Sequence, residues 1–323
     1  MSADCSEGRR KQDFIDLGIK MYDNPFARKK KKIVSNIKKF RKSIKEFRPE
    51  IVHTHALYSL GIAFLTRLIF RMDYKIVHTG HGGPKANYDS ISQNFTSMAD
   101  RYITLSKQSF SIISKDGKKG NVRLIYNGTS KPDESEIYAN SGVPLAGEKL
   151  RMGFIGRFTK QKGLPTLIEA LDIINKRLVD FELHLIGDGE DKPMIEEMVN
   201  SANLNDKVIF HGYSSSPWAL LSDVPLVVMP SLWEQGALVA IEAIIRNHTI
   251  ISTNINGIND VVIDGESGYL FERMDAAEFA NILESLSRGE RKLINISLDE
   301  RREFLFPERT GVNIYNLYRE LLK

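Results

Sequence analysis

Cysteine is almost absent from this sequence, since Cys5 is the only one among 323 residues. One thiol cannot build an internal disulfide framework, and such scarcity is typical of a reducing compartment. Long apolar runs are also missing: the longest, residues 56–70, is interrupted by Arg67 and is too short to cross a bilayer. The first residues do not resemble a signal peptide. We therefore expect a cytoplasmic protein.

Several widespread catalytic patterns are absent as well. The sequence contains no Gly-x-Ser-x-Gly elbow, no Walker A loop and no Cys-x-x-Cys pair. It also lacks any Asp-x-Asp pair, which metal-dependent nucleotide-sugar enzymes use to hold a divalent ion. The sequence therefore predicts a protein that needs no metal ion and no other cofactor.

Positive charge is concentrated near the start of the chain. Residues 1–50 contain 15 Lys/Arg and 7 Asp/Glu, a net charge of +8, so the rest of the +4 chain carries −4. A solvated helix face would explain this excess. Docking of residues 28–48 on an anionic membrane surface explains it equally well. Nucleic acid is not expected as a partner, because no basic-aromatic repeat or recognised nucleic-acid motif accompanies the charge.

The second half of the sequence alternates short apolar runs with helical patterns. The predicted strands are residues 150–155, 181–186, 207–211, 225–229 and 249–253, and the predicted helices are 164–177, 190–202, 236–246 and 275–287. This alternation predicts an α/β fold with a doubly wound parallel sheet. Ligands bind such sheets in the crevice at the carboxyl ends of the strands.

The first half follows the same pattern more weakly, with strands predicted at 50–54, 75–78, 102–105 and 122–126. We predict an N-terminal Rossmann-like domain at 1–135, a linker at 136–149 and a C-terminal domain at 150–305. Residues 306–323 are predicted to form a helix that packs back toward the N-terminal domain. Residues 1–13 are polar and contain only Gly8, so the first domain is expected to lack its opening strand and glycine turn.

A loop with two cations and flanking glycines follows the strand that ends at Ile155. Gly156-Arg157 and Lys162-Gly163 bracket it, so Arg157 and Lys162 are expected at the carboxyl edge of the sheet. Arginine offers a fork of donors and lysine a point charge, which together suit a diphosphate. An exposed basic loop without a ligand is the alternative.

Two glutamates, Glu234 and Glu242, stand eight positions apart with no charge between them. In one helix this spacing is about two turns, so both side chains are expected on one side. A helix beginning at Gln235-Gly236-Ala237 would also present free N–H groups to an anion. The alternatives are an ion pair between Glu242 and a buried cation, and a capping or surface role for Glu234.

Four histidines lie at two predicted strand ends, in His53-Thr54-His55 and in His78-Thr79-Gly80-His81. On a strand, His53 and His55 share a face. A zinc site is disfavoured, because no acid or cysteine accompanies them. We expect His81, in a glycine-rich loop, to be a polar group of the active site, with a structural histidine as the alternative.

Together these residues resemble the retaining family 4 glycosyltransferases, which have a GT-B type fold of two Rossmann-like domains facing a cleft. The resemblance runs from about Phe47 to the C-terminus. It is carried by Glu234-x7-Glu242, Gly156-Arg157 with Lys162-Gly163, Asn127-Gly128, Thr79-Gly80-His81-Gly82, and the late glycine turn at 264–270.

The resemblance implies a role for each matching residue. Arg157 and Lys162, next to Gly156, would bind the donor diphosphate and stabilise its departure. Glu242 would bind the ribose hydroxyls, and His81 would lie beside the sugar. The donor sugar and phosphate would meet Glu234 and the amides of the helix start, with Asn127 at the turn that ends the first domain. The residues of the helix start are Gln235, Gly236, Ala237 and Leu238.

The resulting prediction is a hexosyltransferase that moves a sugar from a nucleoside-diphosphate sugar, with retention, to a saccharide or lipid-linked saccharide. Bacterial surface polysaccharide assembly is the expected context, and peripheral attachment to the inner face of the cytoplasmic membrane fits the basic segment. Two alternatives stay open. One is a nucleotide-sugar epimerase of GT-B fold, and the other is a truncated protein that binds the nucleotide sugar without catalysis.

Overall fold

A computed structural model describes residues 33–323 except 83–87, 141, 143–144, 235 and 305–306. The side chains of residues 298, 302, 307 and 308 are also left undescribed. The chain forms two compact units. The first comprises the described residues up to Leu105, Ser109–Leu124 and Tyr315–Lys323, and the second comprises Ser106–Gln108 and Ile125–Ile314.

The first unit is built on a four-stranded parallel sheet of order β1-β2-β3-β4. Its strands are β1 (Ile51–Thr54), β2 (Lys75–Thr79), β3 (Arg101–Thr104) and β4 (Val122–Leu124). Its helices are α1 (Ile33–Phe47), α2 (Leu57–Phe70), α3 (Tyr88–Ser92), a 3₁₀ helix (Gln93–Met98) and α4 (Lys107–Ser114). Apolar side chains between sheet and helices, such as Leu60, Ile76 and Tyr102, are fully buried.

The second unit contains a six-stranded parallel sheet of order β10-β9-β8-β5-β6-β7. Its strands are β5 (Leu150–Ile155), β6 (Phe181–Ile186), β7 (Val208–Gly212), β8 (Leu226–Met229), β9 (Thr249–Thr253) and β10 (Gly268–Phe271). Its helices are α5 (Leu164–Lys176), α6 (Lys192–Ser201), α7 (Leu238–Ile245), α8 (Ala276–Ser287) and α9 (Leu298–Arg302). Short 3₁₀ helices lie at Glu134–Glu136, Lys160–Lys162 and Pro217–Leu221.

This sheet is covered on both faces, as its strand sequences require. In β8, Leu226 and Val228 belong to one apolar cluster, whereas Val227 and Met229 belong to another. A strand buried on both sides reads as a continuous apolar run, which is typical of parallel sheets between helices. The carboxyl ends of β5, β6 and β8 therefore lie at one edge of the sheet, where ligands bind in such folds.

The final helix, α10 (Val312–Leu322), follows a π-helical turn at Pro307–Gly311. From Tyr315 onward it belongs to the first unit. There the Tyr318 hydroxyl lies 2.5 Å from His53 Nδ1, and Arg101 forms an ion pair with Glu320. Residues near the C-terminus thus contact strands β1 and β3 of the first sheet.

The predicted strands agree with the structure to within one or two residues. Strand β10 was not predicted, and neither were helices α2, α3, α4 and α9, whereas α1 coincides with the basic run for which a helix face was one interpretation. The predicted helix over 236–246 begins later, at Leu238. The opening unit expected to be missing, together with residues 28–32 of the basic segment, lies outside the described residues. Within the described part of the chain, no helix has the length and apolar character needed to cross a membrane.

Candidate functional site

Arg157 lies on the loop that leaves β5 at the carboxyl edge of the second sheet. The loop is held against the end of β6, because Gly156 N donates to Ile186 O over 3.0 Å and Phe158 N donates to Asp188 O over 2.9 Å. Phe158 is fully buried, whereas Arg157 is exposed. The backbone is therefore fixed while the guanidinium faces solvent, as a binding group for an anion would.

The same loop continues into a 3₁₀ turn that is tied to the end of β8. Leu232 N donates to Gln161 O over 2.7 Å, and Gln161 Nε2 donates to Trp233 O over 3.0 Å. Gly163 closes the turn with φ +62°, and a Cβ there would lie 1.9 Å from Pro230 O. Only glycine permits both the left-handed conformation and this approach of two backbones.

These contacts bring Lys162 and Glu234 together from positions far apart in the sequence. They form an ion pair in which the lysine side chain is 17% and the glutamate side chain 12% exposed. Ser231, which is fully buried, donates to Glu234 Oε1 over 3.1 Å. Glu234 is therefore neither a capping residue nor a surface acid: it is a partly desolvated carboxylate held by a cation and a hydroxyl.

Helix α7 begins immediately after this cluster. Ala237 is its N-cap and has a left-handed conformation, φ 39° and ψ 41°, which is costly for a residue with a Cβ. Leu238 at the first helical position is exposed. The amides of the first turn have no partner within a helix, so this end carries partial positive charge. Gly236 is half-buried, and Gln235 lies outside the described residues.

The two glutamates do not share a helix, so the argument from helical spacing was wrong. Glu234 precedes α7, whereas Glu242 lies in its second turn. Glu242 accepts a hydrogen bond of 3.2 Å from Trp218 Nε1, in the 3₁₀ turn at Pro217–Leu221. Arg246, the nearest buried cation in sequence, pairs with Glu136. Trp218 was missed because no local pattern connects it to a residue 24 positions away.

The remaining predicted residues are found in loops. Asn127 lies half-buried after β4, in the second unit, and the described contacts do not join it to Lys162 or Glu234. His81 follows β2 in the first unit. His55 Nδ1 lies 2.9 Å from His81 Nε2, and the His53 and His55 rings stack with centroids 4.5 Å apart. His53 and His55 thus share a face, as their alternation predicted.

Burial and mutual proximity keep these histidines neutral. Burial, followed by the neighbouring His55, His78 and His81, lowers the pKa of His53 to about 3. Burial lowers the pKa of His81 as well. Neutral imidazoles can both donate and accept hydrogen bonds, which suits contact with sugar hydroxyls. In the part of the chain described, no three His, Cys, Asp or Glu side chains are arranged to hold a metal ion.

Two Rossmann-like domains with parallel sheets define the protein as one of the GT-B fold. The solved structure of Anabaena HepE in complex with UDP and glucose has this architecture. It superposes with a TM-score of 0.78 over 97% of this chain and 90% of that one, at 18% identity. That likeness concerns the fold alone.

Sequence comparison places the chain in a family. The pattern of glycosyl transferases group 1 matches residues 140–301, and that of glycosyltransferase family 4 matches residues 5–130. The chain therefore belongs to the glycosyl transferases group 1 family, with a family 4 first domain. The expected resemblance and GT-B fold are both confirmed.

Individual curated relatives match this chain at low sequence identity and over only part of their length. An uncharacterized 41.2 kDa protein in the cps region of Klebsiella pneumoniae is 24% identical over 76% of this chain and 71% of its own length. The lipopolysaccharide core biosynthesis glycosyltransferase LpsE of Rhizobium meliloti is 27% identical over 62% of this chain and 54% of its own length. For five other curated relatives the chain spans between 27% and 61% of their length.

Proposed function

We propose that this protein transfers a hexose from a nucleoside-diphosphate sugar to a saccharide or lipid-linked saccharide, with retention of the anomeric configuration. The proposed context is the assembly of a bacterial surface polysaccharide. Membership of a glycosyltransferase family supports the reaction type. The names of the K. pneumoniae and R. meliloti relatives, which refer to a cps region and to lipopolysaccharide core, support the context.

The observation that carries the proposal is the cluster of Lys162, Glu234 and Ser231 beside the start of α7. A diphosphate placed here would meet the Lys162 ammonium, the positive end of the helix and the exposed Arg157 guanidinium. Each charge-assisted hydrogen bond of this kind contributes about 1.5–3 kcal/mol. Lys162, held in its ion pair with Glu234, and the start of α7 are in place before the reaction, so they stabilise the charge that develops as the sugar–phosphate bond breaks.

The carboxylates supply the complementary contacts. Glu234 would accept hydrogen bonds from hydroxyls of the donor sugar, and Glu242 would accept them from the ribose. Because cations and amides neutralise the diphosphate, no divalent ion is required in the proposed reaction. HepE, which shares this fold, binds UDP and glucose, so a uridine nucleotide is a reasonable first donor to test.

A panel of nucleoside-diphosphate sugars tests the proposal directly. We expect one donor to raise the midpoint of thermal unfolding, because a ligand bound only by the folded state stabilises it. With that donor and a set of lipid-linked and free saccharides, we expect transfer that persists in excess EDTA. Proton NMR of the product should show the anomeric configuration of the donor.

Each other outcome excludes a part of the proposal. Inversion at the anomeric carbon contradicts the retaining mechanism, and loss of transfer in EDTA contradicts metal independence. Conversion of the donor into an epimer without an acceptor identifies an epimerase. Donor binding without transfer to any acceptor identifies a protein that only binds nucleotide sugars.

We also propose that helix α1 attaches this cytoplasmic protein to the inner face of an anionic membrane. Lys38, Lys39, Lys42 and Lys45 are all exposed along this helix. Large apolar side chains are exposed nearby in sequence: Val34 (67%) and Phe47 (55%) on α1. A basic face with exposed apolar side chains suits the interface of an anionic bilayer, at about 1 kcal/mol per basic residue.

Vesicle sedimentation tests this attachment with a matched pair of variants. Vesicles containing phosphatidylglycerol should retain the wild type and release it in high salt. We expect Lys38→Glu/Lys42→Glu to weaken binding at least tenfold. The control Lys115→Glu/Lys118→Glu makes the same charge change at exposed lysines of the first unit and should bind nearly as the wild type does. Equal losses in both variants would show that only net charge matters.

A further inference from the structure

We propose that Trp218 positions the carboxylate of Glu242, and that Arg246 and Glu136 hold Trp218 in place. Through this chain of contacts the protein would distinguish ribonucleotide donors from deoxyribonucleotides. The inference rests on the proposed function, because it assigns the ribose to Glu242. It adds residues from three separate parts of the second unit to the donor site.

The first contact fixes the carboxylate itself. The Trp218 indole N–H donates to Glu242 Oε2 over 3.2 Å, and the Trp218 side chain is only 4% exposed. An indole nitrogen can donate but cannot accept, so it holds an acceptor oxygen of Glu242 in one orientation. A carboxylate has about four acceptor positions, so the indole hydrogen bond occupies only one of them.

The second contact fixes both partners of the first. The Arg246 guanidinium lies 4.8 Å from the centre of the Trp218 ring. Its Nη1 donates to the carbonyl oxygen of Glu242 over 3.2 Å. Arg246 follows the last residue of α7, where a cation interacts favourably with unpaired carbonyls. The Arg246 guanidinium therefore contacts both the Trp218 indole and the backbone of Glu242, and it fixes their relative position.

The ring has a second neighbour. His248 stacks near Trp218 with ring centroids 5.5 Å apart and an angle of 29° between the planes. His248 is in turn fixed by a contact of 2.8 Å between its Nδ1 and Val224 O. Burial lowers the pKa of His248 to about 4, so its ring is neutral at physiological pH. A neutral His248 ring adds no charge of its own beside the indole.

The third contact is an ion pair with Glu136 that neutralises the buried charge of Arg246. Arg246 donates to Glu136 Oε2 from Nη2 over 2.7 Å and from Nε over 3.1 Å. The two side chains are 7% and 18% exposed. Losing one partner of such a pair leaves an uncompensated charge, so the guanidinium would move or recruit water. Glu136, far from Glu242 in sequence, therefore acts on it through Arg246 and Trp218.

Calorimetric titration with UDP, GDP and ADP and their 2′-deoxy counterparts tests the inference. The readout is the ratio of the ribo to the deoxy affinity for whichever diphosphate binds. In the wild type we expect a clear preference for the ribo form. Glu242→Ala should remove the preference and defines the full effect. Trp218→Phe should lower the ribo affinity about tenfold, the size of one lost hydrogen bond, and leave the deoxy affinity within about twofold.

Glu136→Gln keeps the shape of the side chain and removes its charge, so it serves if Trp218→Phe does not fold. We expect it to reduce the ribo preference about threefold. In the double variant of Trp218 and Glu242, the losses should be less than the product of the single ones. An unchanged ratio in the folded Trp218→Phe and Glu136→Gln proteins refutes the inference. If the wild type binds none of the three diphosphates, the proposed function fails instead.

Discussion

Replacing Arg157 and Lys162 together by alanine should lower kcat by about 10⁴ or more. The removal of one preorganised group that stabilises developing charge costs about 10²–10³ in rate, and this variant removes two. The loss should appear with the donor saturating, since the developing charge on the leaving diphosphate is greatest in the transition state. Initial rates with the donor selected by the panel provide the measurement.

Lys160→Ala is the matched control, because Lys160 lies in the same 3₁₀ turn and is exposed. We expect it to retain nearly full activity. The double variant also leaves Glu234 without its cation, at a cost of about 1–3 kcal/mol in stability, so circular dichroism must show that it is folded. A folded double variant with wild-type kcat would disprove the assigned role of both cations.

Gly163→Ala should disrupt the site without removing any polar group. The new Cβ would lie 1.9 Å from Pro230 O, so the turn that carries Lys162 must separate from the strand end that leads to Glu234. Left-handed backbone and overpacking together should lower the free energy of unfolding by about 3–5 kcal/mol. Activity should fall at least about 10²-fold, because small displacements of positioning groups carry large costs in rate.

Gly265→Ala provides the comparison for this variant. Gly265 also has a positive φ, of +76°, but a Cβ there has nothing within 4 Å. We expect it to cost only about 1–2 kcal/mol, with activity retained. Both tryptophans, Trp218 and Trp233, lie in the second unit, as do the two substituted glycines. Urea unfolding followed by tryptophan fluorescence therefore reports on the stability of that unit. Similar stability losses in the two variants would show that the close approach is unimportant.

The fold was most predictable where a strand is apolar along its length. Strand β8, with four consecutive buried residues, could be found by composition alone. Strand β10 was missed because Gly268-Tyr269-Leu270-Phe271 is short and begins with glycine, which weakens a strand pattern. For helix α1 the charge run suggested a solvated face, but not the buried face that includes Ile37 and Ile44.

The site was predictable where its residues are neighbours in sequence and unpredictable where the fold joins distant ones. The loop of Arg157 and Lys162 and the stretch from Glu234 could each be assigned a ligand. The ion pair between Lys162 and Glu234 could not, since it depends on the backbone contact at Gly163. The hydrogen bond from Trp218 to Glu242 depends on the packing of a 3₁₀ turn against α7 in the same way.

The docking of Tyr315–Lys323 on the first sheet also determines when the first unit can finish folding during synthesis. Strand β4 ends at Leu124, yet the segment that contacts His53 and Arg101 begins at Tyr315. At about 5–20 residues per second, the nascent first unit waits roughly 10–40 s for that segment. During this interval Arg101 lacks Glu320, and the first unit completes its fold only after the second has been synthesised.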